Sequence, residues 1–259
     1  MNWRKALGRS FQEALLVLMF FTRLPVSRWV YYDPDIACKI ARGFPLVGVL
    51  AAAVQFALLA GFSRVLPWWP SVILSVAFSI LLTGALHEDG FADACDAFGG
   101  GHGREQVLVI MKDSCLGTYG SLGLGLLLAS KISLLGCLSL KIALPVLLAA
   151  HVLSRAASAS LLLSLDYARA EDLTESTGKI PHLTFSGSDA VFVLLLCVIF
   201  MLWLPIGTWL PLSLGLLLLR TLCGRYFRRR IDGYTGDCLG AVQQLAELWV
   251  LLVCVAVVG

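Results

Sequence analysis

Ser71-Val72-Ile73-Leu74-Ser75-Val76-Ala77-Phe78-Ser79-Ile80-Leu81-Leu82-Thr83-Gly84-Ala85-Leu86 runs without a break into His87-Glu88-Asp89-Gly90-Phe91-Ala92-Asp93-Ala94-Cys95-Asp96. The first part is almost pure hydrocarbon. The second places five ionisable side chains, His87, Glu88, Asp89, Asp93 and Asp96, within ten residues. A carboxylate at the edge of a bilayer is costly unless something neutralises it, so such a cluster marks a functional site. On a helix, Asp89, Asp93 and Asp96 stand at i, i+4 and i+7, within roughly a 60° arc over two turns. Three like charges on one face repel, and a divalent cation with oxygen ligands, Mg²⁺ or Mn²⁺, is the simplest partner that stabilises them.

Outward from this stretch, the whole chain reads as an integral membrane protein. Hydrophobic residues make up 58% and charged residues 14% of 259, with a mean hydropathy of +0.84. A soluble domain does not have this composition. The expected fold is an all-α, polytopic helical bundle with about seven transmembrane helices, each needing ~20 apolar residues. The spans read as Phe44 to Leu66, Ser71 to Leu86, Ser121 to Leu140, Ile142 to Leu165, Ala190 to Leu204, Ile206 to Cys223 and Leu239 to Val258. The run Ala14 to Phe21 is short and flanked by Arg4, Lys5, Arg9 and Arg23, which suits an interfacial or re-entrant helix. A signal peptide is disfavoured, because Thr22-Arg23-Leu24-Pro25 follows in place of a small-residue cleavage site.

Orientation follows from the cations. Arg4, Lys5 and Arg9, then Arg28, Lys39 and Arg42, then Arg225 and Arg228 to Arg230 mark cytoplasmic segments under the positive-inside rule. Seven spans starting inside put the loops around 87–116, 166–189 and 224–238 on that face, so the expected domain is 1–259, one membrane-embedded unit with its site facing the cytoplasm. The formal charge of +3 reflects topology and gives no sign of nucleic-acid binding. Eight scattered cysteines show neither a disulfide framework nor zinc spacing.

Two more polar segments lie near the acidic one in the expected topology. Gly99-Gly100-Gly101-His102-Gly103 lets backbone N–H groups approach a ligand, as a phosphate-cradling turn does, although for the glycines alone a bare loop is the better explanation. Arg104 to Ser114 then reads as an amphipathic surface helix whose Arg104 and Lys112 could hold phosphate oxygens. Tyr234-Thr235-Gly236-Asp237-Cys238 opens the last span, with Asp237 near its N-terminus as a cap or a further metal ligand. Arg155 stands alone in an apolar helix and should point inward, toward a structural acid or an anionic substrate. Glu247 is either its buried partner or an acid behind the site.

The runs His87 to Asp96, Ile110-Met111-Lys112-Asp113-Ser114-Cys115-Leu116-Gly117-Thr118-Tyr119-Gly120 and Thr235-Gly236-Asp237-Cys238-Leu239-Gly240-Ala241 resemble the cobalamin synthase family, the adenosylcobinamide-GDP ribazoletransferases. Phe20 to Val26 and Arg42 to Gly48 are similar to it as well, so the likeness covers nearly the whole chain. Glu88, Cys115 and Asp232 depart from the family pattern, which usually has an apolar residue, a basic residue and Gly there. The resemblance implies a membrane transferase of the cytoplasmic membrane of a prokaryote. Such an enzyme joins adenosylcobinamide-GDP to α-ribazole or its 5′-phosphate and releases GMP. It also implies Mg²⁺ held by Asp89, Asp93, Asp96 and Asp237, with Asp89 or Asp113 taking the hydroxyl proton. Substrate contacts are expected at His87, Glu88, Gly90, Gly100, Arg104, Lys112, Ser114, Arg155, Thr235 and Gly236. Membrane lipid, other corrinoid-assembly enzymes and a second copy of the chain are expected partners.

Apart from that resemblance, aspartates on helices also serve Mg²⁺-dependent membrane prenyltransferases and lipid alcohol phosphotransferases. A cation transporter is the non-enzyme alternative. A prenyltransferase should carry two similar Asp-rich runs, whereas the segment around Asp237 has one Asp. A transporter should carry mid-span carboxylates, which are scarce here.

Overall fold

Two consecutive left-handed residues, Gly84 (φ 66°) and Ala85 (φ 59°), divide the apolar stretch from the acidic one, and the helices on either side meet at 88°. The computed structural model describes residues 8–169 and 183–258; Arg4, Lys5 and part of the 166–189 loop lie outside the described residues. The α-helices are α1 (Arg9–Phe21), α2 (Pro34–Ala37), α3 (Phe44–Phe62), α4 (Trp68–Thr83), α5 (Leu86–Gly100), α6 (Arg104–Ile110), α7 (Thr118–Gly136), α8 (Leu140–Ala159), α9 (Gly187–Met201), α10 (Ile206–Ile231) and α11 (Gly236–Val258).

Each of the seven expected spans appears as a helix, namely α3, α4 and α7 to α11. Five of them, α3, α7, α8, α10 and α11, are long and apolar enough to cross a membrane, or six if α4 and α5 count as one broken span. The count falls short of seven because α4 and α9 have 16 and 15 residues. At 1.5 Å per residue they reach about 22–24 Å, less than a hydrocarbon core of ~30 Å. Helix α1, with 13 residues, also stays below span length.

The expected loop 224–238 is corrected by the structure: α10 continues to Ile231. Its cationic last turn stays helical because Arg228 donates to Ser164 O and Arg230 Nη2 to Gly101 O at 2.6 Å, and because cations suit the negative end of a helix.

Helix α8 is the central post, packed mainly against α3 and α11. Small residues let its neighbours come close, as membrane helices require where no hydrophobic force drives association. A Cβ on Gly48 of α3 would stand 2.5 Å from His151 O of α8. By contrast α10 is peripheral, and its exposed Leu210, Leu214, Leu217, Leu218 and Leu222 form a lipid-facing surface. Beside its apolar clusters the bundle buries Gln55, His87, Glu88, Lys131, His151, Arg155, Gln243, Gln244 and Glu247.

Candidate active site

Helix α5 buries Phe91, Ala92, Ala94 and Ala97, which turns its aspartates away from the core. It crosses α11 at two glycines. A Cβ on Gly90 would lie 3.0 Å from Asp237 Cα and 3.3 Å from Asp237 O, and one on Gly240 would lie 3.2 Å from His87 O. This crossing lays the first turn of α11, which carries Asp237, beside Asp89 and Asp93. Asp89 is exposed, and Asp93 and Asp237 are half-buried. Asp93 feels the negative charge of Asp89, Asp237 and Asp96, opposed by the cation Arg169.

Arg169 comes to the site through a short non-local pairing. Ala168 N donates to Tyr234 O, and Tyr234 N to Asp166 O, each at 2.9 Å. Arg169 Nη2 then lies 3.9 Å from Asp237 Oδ2 and donates to Leu108 O at 3.4 Å. Its Nε is buried and has no partner among the described residues. Thr235 Oγ1 lies 3.0 Å from Met111 Sδ and 3.4 Å from Asp237 Oδ2, so the end of α6 abuts the start of α11. Lys112, Asp113 and Ser114 follow as an exposed turn at that rim, with Asp113 Oδ1 accepting from Cys115 N at 3.1 Å.

The remaining expected residues divide. Asp96 caps α7: its two carboxylate oxygens accept from Gly117 N at 2.7 Å and Gly120 N at 2.9 Å. Arg104 donates through Nε to Ile231 O at 3.2 Å and through Nη2 to Ala168 O at 2.9 Å, bracing the loop that carries Arg169. Gly100 is half-buried, at the end of α5, and Gly236 opens α11. His87, Glu88 and Arg155 are not with the aspartates; they are buried in the bundle. Arg155 contacts His151, and Glu247 contacts Lys131 and Gln243 in place of the expected Arg155. Arg169 and Lys131 were not legible as site or partner residues, since each acquires its role from a helix or loop distant in the chain.

A family model described as cobalamin-5-phosphate synthase matches residues 13–255. The chain is similar to the adenosylcobinamide-GDP ribazoletransferase of Shewanella frigidimarina, 40% identical over 260 residues, covering 99% of this chain and 97% of that protein. The protein of the same name from Ralstonia pickettii is 40% identical over 250 residues, covering 95% and 96%. That from Pseudoalteromonas atlantica is 40% identical over 247 residues, covering 95% and 91%. No solved structure matches the chain.

Proposed function

The chain belongs to the cobalamin-5-phosphate synthase family, and on that premise we propose that it transfers the adenosylcobinamide phosphate group from adenosylcobinamide-GDP to α-ribazole or its 5′-phosphate, releasing GMP. A ribazole hydroxyl oxygen attacks the cobinamide-linked phosphorus, the bond to the GMP phosphate breaks with its electrons leaving on GMP, and the hydroxyl gives up its proton. Such phosphoryl transfer asks the protein for positioning and charge stabilisation more than for covalent chemistry.

The observation that carries this reading is the convergence of Asp89, Asp93 and Asp237 with Arg169 at the crossing of α5 and α11. The carboxylates are hard-oxygen donors suited to Mg²⁺, and the guanidinium beside them is a cation suited to phosphate oxygens. Among the described residues no three His, Cys, Asp or Glu side chains stand close enough to hold a metal between them. Not all three would then ligate one ion: one or two of Asp89, Asp93 and Asp237 would supply part of a coordination shell, with diphosphate oxygens and waters the rest, as is usual for this ion. Mg²⁺, when bound, would neutralise the charge that develops on the diphosphate. Arg169 and Lys112 would hold phosphate oxygens. One of the exposed carboxylates Asp89 and Asp113 would take the hydroxyl proton. Asp96, through α7, belongs to the frame of the site.

We assign the protein to the cytoplasmic membrane with this face inward, supported by the Lys and Arg distribution. The test is Mg²⁺-dependent GMP release by detergent-solubilised protein given adenosylcobinamide-GDP and α-ribazole. Release by the wild type, abolished by EDTA and by Asp89→Asn, is the expected outcome; no release from well-folded wild type overturns the reading.

A further inference from the structure

On other faces of α5, the buried polar groups form a network inside the bundle. Lys131 Nζ lies 2.8 Å from Glu247 Oε1, and Gln243 Nε2 donates to Glu247 Oε2 at 2.6 Å. Arg155 Nη1 lies 3.0 Å from His151 Nδ1. A guanidinium has no acceptor, so Nδ1 must carry a lone pair, and His151 Nε2–H donates to Gln55 Oε1 at 2.8 Å. His151 is then the neutral ring, and its approach to Glu247 Oε2 at 3.7 Å is not an ion pair. Gln244 Nε2 donates to Glu88 Oε1 at 2.9 Å. The formal charges balance, Lys131 and Arg155 against Glu247 and Glu88. Of these two cations, however, only Lys131 touches a carboxylate among the described residues.

Five buried atoms in this network have no partner among the described residues: Gln243 Oε1 and, on four further residues, Arg155 Nε, His87 Nε2, Glu88 Oε2 and Gln244 Oε1. These four further residues line a single cavity of about 20 Å³. A buried water needs at least ~10–15 Å³ and two to four polar partners. Leaving a buried polar atom unpaired forfeits its hydration without return.

We propose that one ordered water molecule occupies this cavity, accepting from Arg155 Nε–H and His87 Nε2–H and donating to Glu88 Oε2 and Gln244 Oε1. Two donors and two acceptors saturate a water and satisfy all four atoms. The water turns Glu88 and Arg155 into a bridged ion pair and ties α5 to α8 and α11 in the turn that contains Asp89. Glu88 and Arg155 are therefore positioning residues for the aspartates; this last effect, on turnover, rests on the proposed transferase activity.

The test joins a high-resolution density map of the wild-type protein with a cycle of Glu88→Gln, Arg155→Gln and the double variant. Each is read by thermal unfolding and by kcat and KM for GMP release. The expected map shows a single density peak within hydrogen-bonding distance of all four atoms. Each single variant, left with an uncompensated buried charge, should lower the unfolding midpoint and drop kcat roughly tenfold or more at near-constant KM, and the neutral double variant should regain most of both. Direct contact between Arg155 and Glu88, a metal or a side chain in the cavity, or losses that simply add would overturn the proposal. Should the single variants not fold, the wild-type map decides. Wild type that releases no GMP yet shows the water and a non-additive unfolding cycle would refute the reaction and leave the water site standing.

Discussion

Replacing Gly90 by Ala perturbs the contact that brings the aspartates of two helices together. The new methyl would stand 3.0 Å from Asp237 Cα and 3.3 Å from Asp237 O, both backbone atoms that cannot rotate away. Carbon atoms rest at about 3.5–4.0 Å, so α5 and α11 must separate by roughly 0.5 Å or more. Overpacking of this kind costs about 1–3 kcal/mol. A misplacement of ~1 Å in a catalytic array costs on the order of 100-fold, so half that predicts about a tenfold loss of kcat and a weaker Mg²⁺ response. Steady-state GMP release against Mg²⁺ concentration measures both, alongside the thermal midpoint. Gly125→Ala is the control: beyond its chain neighbours and its own helix backbone no atom lies within 4 Å of its added Cβ, and Ala favours a helix over Gly by up to about 1 kcal/mol, so this variant should match or exceed wild-type stability. Wild-type kcat and Mg²⁺ dependence in Gly90→Ala would refute the argument that this crossing sets the carboxylate geometry.

Lys131→Met should cost about 3–5 kcal/mol in a denaturant titration, because it leaves Glu247 charged in the core, while Lys131→Met combined with Glu247→Gln should recover most of it. Asp96→Ala removes both bonds to the start of α7 and should cost about 1–2 kcal/mol of stability; its GMP release should persist with a Mg²⁺ half-saturation near wild type, whereas Asp89→Asn releases none. Arg169→Gln should raise KM for adenosylcobinamide-GDP by roughly 10–100-fold, the loss of a charge-assisted hydrogen bond, with a smaller change in kcat. An unchanged KM would remove Arg169 from the substrate phosphates.

Much of this protein is written in local sequence. Hydrocarbon thickness sets the length of an apolar run, so the helices from Phe44 to Val258 could be placed before any contact was known. The spacing of Asp89 and Asp93 predicts a shared face because helical periodicity is a property of the backbone, and Asp237 beside Thr235-Gly236 reads as a helix start for the same reason. The left-handed Ala85, which throws the acidic helix across the bundle at 88°, is not visible locally, since Ala ordinarily avoids that conformation.

Three assignments belong to the tertiary structure. Asp96 became the cap of α7 because Gly117 and Gly120 present their N–H groups to it. Arg169 joined Asp237 because residues 166–168 pair with Tyr234. Glu247 found Lys131 because α7 and α11 pack together, and Arg155 turned to His151, one turn back on its own helix, in place of Glu247. Periodicity and hydropathy act over one or two helical turns and so dictate which residues are helical and which face is polar. Which charge meets which depends on packing between helices far apart in the chain, where burial makes each unpaired charge expensive and selects its partner.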